Sequence, residues 1–205
     1  MRVQFLALAL LASFAVHAKE KPKPFFVDSA VQSVSAPPSD KAQIVFLEPI
    51  NKIQGLFPVG LYEIDGDNRT LLGITAWKSK TAVLLPPGKH LLYASQGGVG
   101  HIMEARVEAG KRYYVLLRFI YGNGFQLRPL RASGTSDYRV TGKDFPKWMK
   151  ETRWVEKTKE GEVYFGVTMK QTLDNVQQTA MINWQAKTAQ EAAELTLNPE
   201  DAVAE

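Results

Sequence analysis

Residues 101–119 read HIMEARVEAGKRYYVLLRF, and the alternation within this stretch decides the fold class. Side chains along a strand point alternately to its two faces. Ile102, Glu104, Arg106 and Glu108 therefore share one side, and Met103, Ala105 and Val107 share the other. A mixed, charged face opposite an apolar one is the signature of a half-buried strand. Ala109-Gly110-Lys111 turns the chain into a further hairpin, and Arg112 to Phe119 is the most β-prone run in the sequence. Within that run Tyr113 and Tyr114 point to opposite faces. One belongs to a core, and the other is expected at the surface beside Arg112 and Arg118, either as ordinary sheet face or as a contact for carbohydrate or peptide.

Just upstream, Ser95 to Gly100 reads SQGGVG. Phosphate-cradling loops place such glycines between a strand and the N-terminus of a helix, whose free N–H groups meet the anion. Here a strand follows, so the glycines bend a hairpin. His101 is expected as a solvated loop residue without partners. Its separation from Glu104 sends the two side chains to opposite faces of a strand, and a zinc site needs three or four converging ligands. Outside the N-terminal 18 residues the only other histidine is His90.

Similar short strands continue on both sides. Gln43 to Glu48 ends at Pro49; Phe57 to Ile64 alternates, with Phe57, Val59 and Leu61 on one face. Asp65-Gly66-Asp67-Asn68 turns into a partner strand from Thr70 to Trp77. Ala82 to Leu85 runs into the turn Pro86-Pro87-Gly88-Lys89, followed by a strand over His90 to Ala94. Gly122-Asn123-Gly124 turns into Phe125 to Leu130. Regular strands with no helical period between them predict a mainly β fold, an antiparallel β-sandwich spanning residues 42–131.

A C-terminal α-helical appendage is expected beyond it. Residues 132–165 form a connecting segment with a short helix beginning near Asp144 and Pro146, although Trp154-Val155 leaves a strand open. Over residues 166–197 the side chains of Met169, Leu173, Val176, Ala180 and Trp184 fall on one helical face. The amphipathic stripe either docks on the sandwich or is left for a partner. Residues 198–205 read as a mobile acidic tail beyond Pro199.

The opposite end reads MRVQFLALALLASFAVHA: one arginine, an apolar run too short to span a bilayer, and small residues before a cleavage point after Ala18. Residues 1–18 are expected to be a cleaved secretory signal, and residues 19–41 a flexible, Ser/Ala/Pro-rich tether. Secretion into a bacterial periplasm follows as an expectation. The chain has no cysteine, which excludes disulfides, thiolate nucleophiles, zinc-thiolate sites and a lipoprotein anchor. A formal net charge of +4, spread along the chain, gives no nucleic-acid-binding stripe. No transmembrane span is expected.

PPGKHLL, MEARVEAGKRYYVLL and LRPL, followed by the tail from Val163 to Asp201, together resemble small secreted bacterial domains of the PEGA-like and unknown-function sandwich kind. The resemblance covers roughly residues 42–201. It implies a sandwich fold and a cell-envelope address, and it carries no catalytic residues, cofactor or metal.

From these readings follows a non-catalytic periplasmic or cell-envelope interaction or scaffold protein, its partner-binding candidates being Met169, Leu173, Val176, Trp184, Tyr113 and Tyr114. One alternative is an envelope hydrolase or glycan-binding protein built on clustered carboxylates such as Glu48, Glu63, Asp65, Asp137 and Asp144, with exposed aromatics. Another is weak peripheral membrane contact through Lys19 to Pro24 and the helix.

Overall fold

A computed structural model describes residues 24–50, 58–120 and 124–203. The leader, Phe57 and most of the Gly122-Asn123-Gly124 turn lie outside these residues. Among the described residues, eleven strands form two sheets. The six-stranded sheet has the order β1 (Phe26–Asp28), β10 (Arg153–Lys157), β5 (Ser79–Leu85), β2 (Ala42–Glu48), β8 (Arg112–Ile120) and β9 (Gly124–Pro129). The five-stranded sheet has the order β11 (Thr196–Leu197), β7 (Val99–Val107), β6 (Gly88–Gln96), β3 (Val59–Asp65) and β4 (Asn68–Thr75).

The alternation determines which residues enter the core. Ile44, Phe46, Val59, Leu61, Met103, Ala105, Val107, Tyr113, Val115 and Leu117 belong to one buried cluster drawn from both sheets. All of β2 is buried, because both of its faces are covered. The sheets are mixed rather than purely antiparallel: β2 pairs parallel with β8, β5 with β10, and β7 with β11. The cause is the route of the chain, which passes from one sheet to the other between β2 and β3, β4 and β5, β5 and β6, β7 and β8, and β10 and β11. Pro86-Pro87 and Ala109-Gly110-Lys111 are thus crossings between sheets, and neither closes a hairpin. Gly110 makes its crossing at φ +69, with its N–H bonded to the Lys41 carbonyl at 2.8 Å.

The SQGGVG stretch is a hairpin bend, as expected. Gln96 pairs with Val99 across Gly97-Gly98, and Gly97 has φ +58 at the first central position of the turn. Gly100 serves a different purpose. A β-carbon there would lie 2.7 Å from Tyr93 Cε2 and 2.8 Å from Val176 Cγ1, so the missing side chain lets Tyr93 lie flat beneath a helix. Gly100→Ala is expected to destabilise the fold by about 1–3 kcal/mol through overpacking. Urea unfolding checks this, with Gly98→Ala as the comparison, since a β-carbon at Gly98 meets nothing within 4 Å.

That helix is α3 (Lys170–Gln185). Together with a π-turn over Tyr164–Thr168, it covers the outer face of the five-stranded sheet. Phe165, Leu173 and Ala180 are buried against Tyr62, Ile64, Ile74, Tyr93 and Ile102, with Met169, Val176 and Trp184 packed around them. Arg69 of β4 ties the helix down, donating to Gln177 Oε1 at 2.5 Å and Asp174 Oδ1 at 3.0 Å. The expected continuous helix over 166–197 is interrupted, first by the π-turn and again at Ala186, before α4 (Ala189–Glu194) restarts on a Thr188/Glu191 capping box.

On the outer face of the six-stranded sheet, Val45, Leu47, Tyr114 and Leu116 are covered by Leu130, Trp154 and α1 (Phe145–Glu151). Pro146 sits in the first turn of α1 as expected, while the Asp144 side chain makes no capping bond. At the other end of α1 the buried Lys80 ammonium donates to the Met149 carbonyl at 2.7 Å and to the Thr152 carbonyl, taking up acceptors that a helix terminus leaves open. Between α1 and the π-turn, α2 (Lys159–Val163) starts on Thr158, whose hydroxyl accepts from Gly161 N at 3.1 Å.

Both ends of the chain are more structured than their composition implied. The tether read over 19–41 contains β1, paired with β10 from Phe26↔Lys157 to Asp28↔Val155. In the segment read as a mobile tail, Asp201 is buried and accepts from Arg131 at 2.6 Å, and Val203 bridges Arg112.

Candidate functional site

A cleft of about 720 Å³ opens where the C-terminal half of α3 and the start of α4 face the β6–β7 hairpin and the ends of β8 and β9. Trp184 and Val176 from α3, Val99 and Ile102 from β7, Ile120 from β8 and Phe125 from β9 form its apolar walls. Trp184 packs against both the inter-sheet cluster and the cluster beneath the helix, so its ring is braced on two sides. Asn175, Asn183, Thr179, Gln126, His101, Lys187 and Glu191 supply the polar lining.

His101 departs most from its sequence reading. It lies in β7, paired with Ala94, and lines the cleft. Its face is that of Met103 and Ala105, directed toward β9, where Nδ1 accepts from the Leu127 N–H at 3.3 Å. Burial, reinforced by the positive charges of Lys187 and Arg118, lowers its pKa to about 4. The ring is neutral near pH 7. Because Nδ1 faces a donor, its single proton resides on Nε2. The sequence could not show this, since burial of His101 depends on β9 arriving from the other sheet.

The partner-binding candidates are placed differently from one another. Met169 and Leu173 are committed to the helix–sheet contact. Tyr113 is fully buried in the inter-sheet core, where its hydroxyl oxygen accepts from Glu108 N at 3.0 Å. Tyr114 is buried as well, so neither member of the pair is the expected surface residue, and it meets the Phe145 ring edge-on at 5.0 Å. It offers no surface to a partner, because α1 occupies that face. Only Val176 and Trp184 reach the cleft.

None of Glu48, Glu63, Asp65, Asp137 and Asp144 lines the cleft. Glu48 is buried in the core, where it accepts from the Thr75 hydroxyl at 2.7 Å, and desolvation raises its pKa to about 8 against the lowering effect of that bond. Glu63 lies against His90 Nδ1 at 2.6 Å. The carboxylate that does line the cleft, Glu191, accepts from Thr188 N at 2.8 Å and Thr188 Oγ1 at 2.9 Å. Among the described residues no group of three or more His, Asp or Glu is arranged to hold a metal ion, and no helix is long and apolar enough to cross a membrane. Compared with known protein families and with curated proteins, the chain matches no family model and no sequence.

Proposed function

We propose that this is a non-catalytic binding protein of the bacterial cell envelope, and that the cleft beside α3 takes a sugar-like ligand. The carrying observation is the combination of a braced tryptophan with amide side chains in one concave site. Trp184 supplies a flat apolar face for a ring, while Asn175, Asn183 and Gln126 supply hydrogen-bonding groups at its rim. The envelope address rests on the secretory-type leader, and a PEGA-like sandwich remains the family reading proposed for the two packed sheets.

Calorimetric titration of the purified protein with a panel of neutral and acidic amino-sugar oligomers tests the reading. Saturable binding is expected, weakened at least about tenfold, or 1.4 kcal/mol, by Trp184→Ala. Because Trp184 also braces the core, Asn183→Ala at an exposed position is the second variant. Absence of binding by every oligomer at millimolar concentration would refute the proposal.

A second reading has its own observation. Val163 and Val167 are exposed at 56% and 69%, next to Phe25, which stacks on Tyr164 with ring centroids 4.3 Å apart. In the sequence, Lys19, Lys21 and Lys23 come just before Phe25. Neighbouring apolar and basic groups fit an anionic membrane surface. Co-sedimentation with anionic vesicles that declines with salt supports this reading, and no binding at low salt removes it.

A further inference from the structure

The hydrogen-bonding groups of the cleft are unevenly committed. Several acceptors are already engaged inside the protein: Gln126 Oε1 receives Arg118 Nε at 2.8 Å, His101 Nδ1 receives Leu127 N at 3.3 Å, and Glu191 Oε2 receives Thr188 N at 2.8 Å. The orientation of the Gln126 amide follows from chemistry, since a guanidinium can only donate and must face the oxygen. The NH₂ of Gln126 and the Nε2–H of His101 therefore remain as donors. The Trp184 indole N–H and the Lys187 ammonium make no hydrogen bond or ion pair among the described residues.

The charge distribution agrees with this asymmetry. The charged groups acting on His101 are both cationic, Lys187 and Arg118, and both disfavour its protonation. Glu191 offsets Lys187 in part, but its bonds to Thr188 hold it at the start of α4. A cleft with unspent donors, a lysine ammonium without an ion pair and an aromatic wall matches a ligand having a ring, several acceptor oxygens and one negative charge.

We infer that the cleft selects a carboxylate-bearing sugar, with Lys187 meeting the carboxylate and His101 Nε2–H and the Gln126 NH₂ donating to ring substituents. The inference rests on the glycan-binding reading and narrows its ligand class. Two sources share this chemistry: an amino sugar with a carboxylate on an ether substituent, as in N-acetylmuramic acid, and a uronic acid.

The test is calorimetric titration of the intact protein at low salt with three probes. These are a disaccharide containing N-acetylmuramic acid, a galacturonate disaccharide, and neutral N,N′-diacetylchitobiose. At least one acidic probe is expected to bind at least about tenfold more tightly than the neutral one. Lys187→Gln should remove that preference while Lys187→Arg retains it, and added salt should shrink it. Which acidic probe binds more tightly identifies the source of the carboxylate. Equal affinity for acidic and neutral probes, or a preference untouched by Lys187→Gln, overturns the carboxylate inference while leaving the glycan cleft in place. Binding of none of the three overturns both.

Discussion

Arg131→Ala is expected to lower the stability of the fold by about 3 kcal/mol, the scale for removing one partner of a buried ion pair. Arg131 lies just beyond Leu130 after the end of β9, and its guanidinium clasps the C-terminal segment, including β11 of the other sheet. One nitrogen donates to the Thr196 carbonyl at 2.7 Å and to Asp201 Oδ2 at 2.6 Å. The other donates to the carbonyls of Ala193 at 2.9 Å and Glu194 at 3.2 Å, at the end of α4. The side chains of Arg131 and Asp201 are exposed by only 21% and 5%, so water cannot readily replace the lost bonds. Alanine leaves the Asp201 carboxylate without its counter-ion and several carbonyls without their donor. Urea unfolding measures the loss, and limited proteolysis should show the C-terminal segment becoming susceptible first. Arg131→Met combined with Asp201→Asn should recover part of the stability, because no charge is then stranded. A loss below about 1 kcal/mol for Arg131→Ala would show the clasp to be dispensable.

The second large effect is a pH profile shaped by two opposing groups. Glu48 has its pKa raised from 4.5 to about 8 by burial. The unfolded chain loses this proton first, so Glu48 makes stability fall as pH rises from about 4.5 to 8, by up to about 1.4 kcal/mol per pH unit. His101 has its pKa lowered from 6.5 to about 4, with burial the main cause. The unfolded chain binds this proton first, so His101 makes stability rise between about pH 4 and 6.5 by a similar slope. The two slopes cancel between about 4.5 and 6.5, and only the decline due to Glu48 remains from 6.5 to 8. Glu48→Gln should remove that decline, expose the rise due to His101, and stabilise the protein at pH 7 by about 3 kcal/mol. His101→Gln should instead expose an uninterrupted decline from about pH 4.5. Urea unfolding of the three proteins across this range checks both slopes. A Glu48→Gln variant that still loses stability from pH 6.5 to 8 would contradict the assignment.

How far the sequence carried depends on how local each feature is. Alternation is local, so the inward set Met103, Ala105 and Val107 and the hairpin bend at Gly97-Gly98 could be read directly. The helical stripe from Met169 to Trp184 was equally legible, and its residues do share a face, directed at the protein's own sheet. Strand pairing is not local. β1, β10 and β11 are short and acquire their identity from partners distant in the chain, and the parallel pairing of β2 with β8 depends on the route between sheets. Glu48 is an instructive intermediate case. The same period of two that places Ala42, Ile44 and Phe46 inward also places Glu48 inward, yet its position before Pro49 at a strand end reads as exposed. His101 and Tyr114 changed meaning for one reason: each is covered by an element from elsewhere in the chain, β9 in one case and α1 in the other.

The pairing of β1 with β10 also bears on the order of assembly. Ser29 donates to Glu156 Oε1 across a separation of 127 residues in the chain. A chain emerging N-terminus first presents Phe26 to Asp28 long before Val155 to Lys157 exist to receive them. The six-stranded sheet therefore acquires this edge late, after loop closure over most of the molecule, and topologies of this kind fold slowly. The delay leaves the outermost strand open until almost everything else has been made: the edge is the last part of the sheet that can lock.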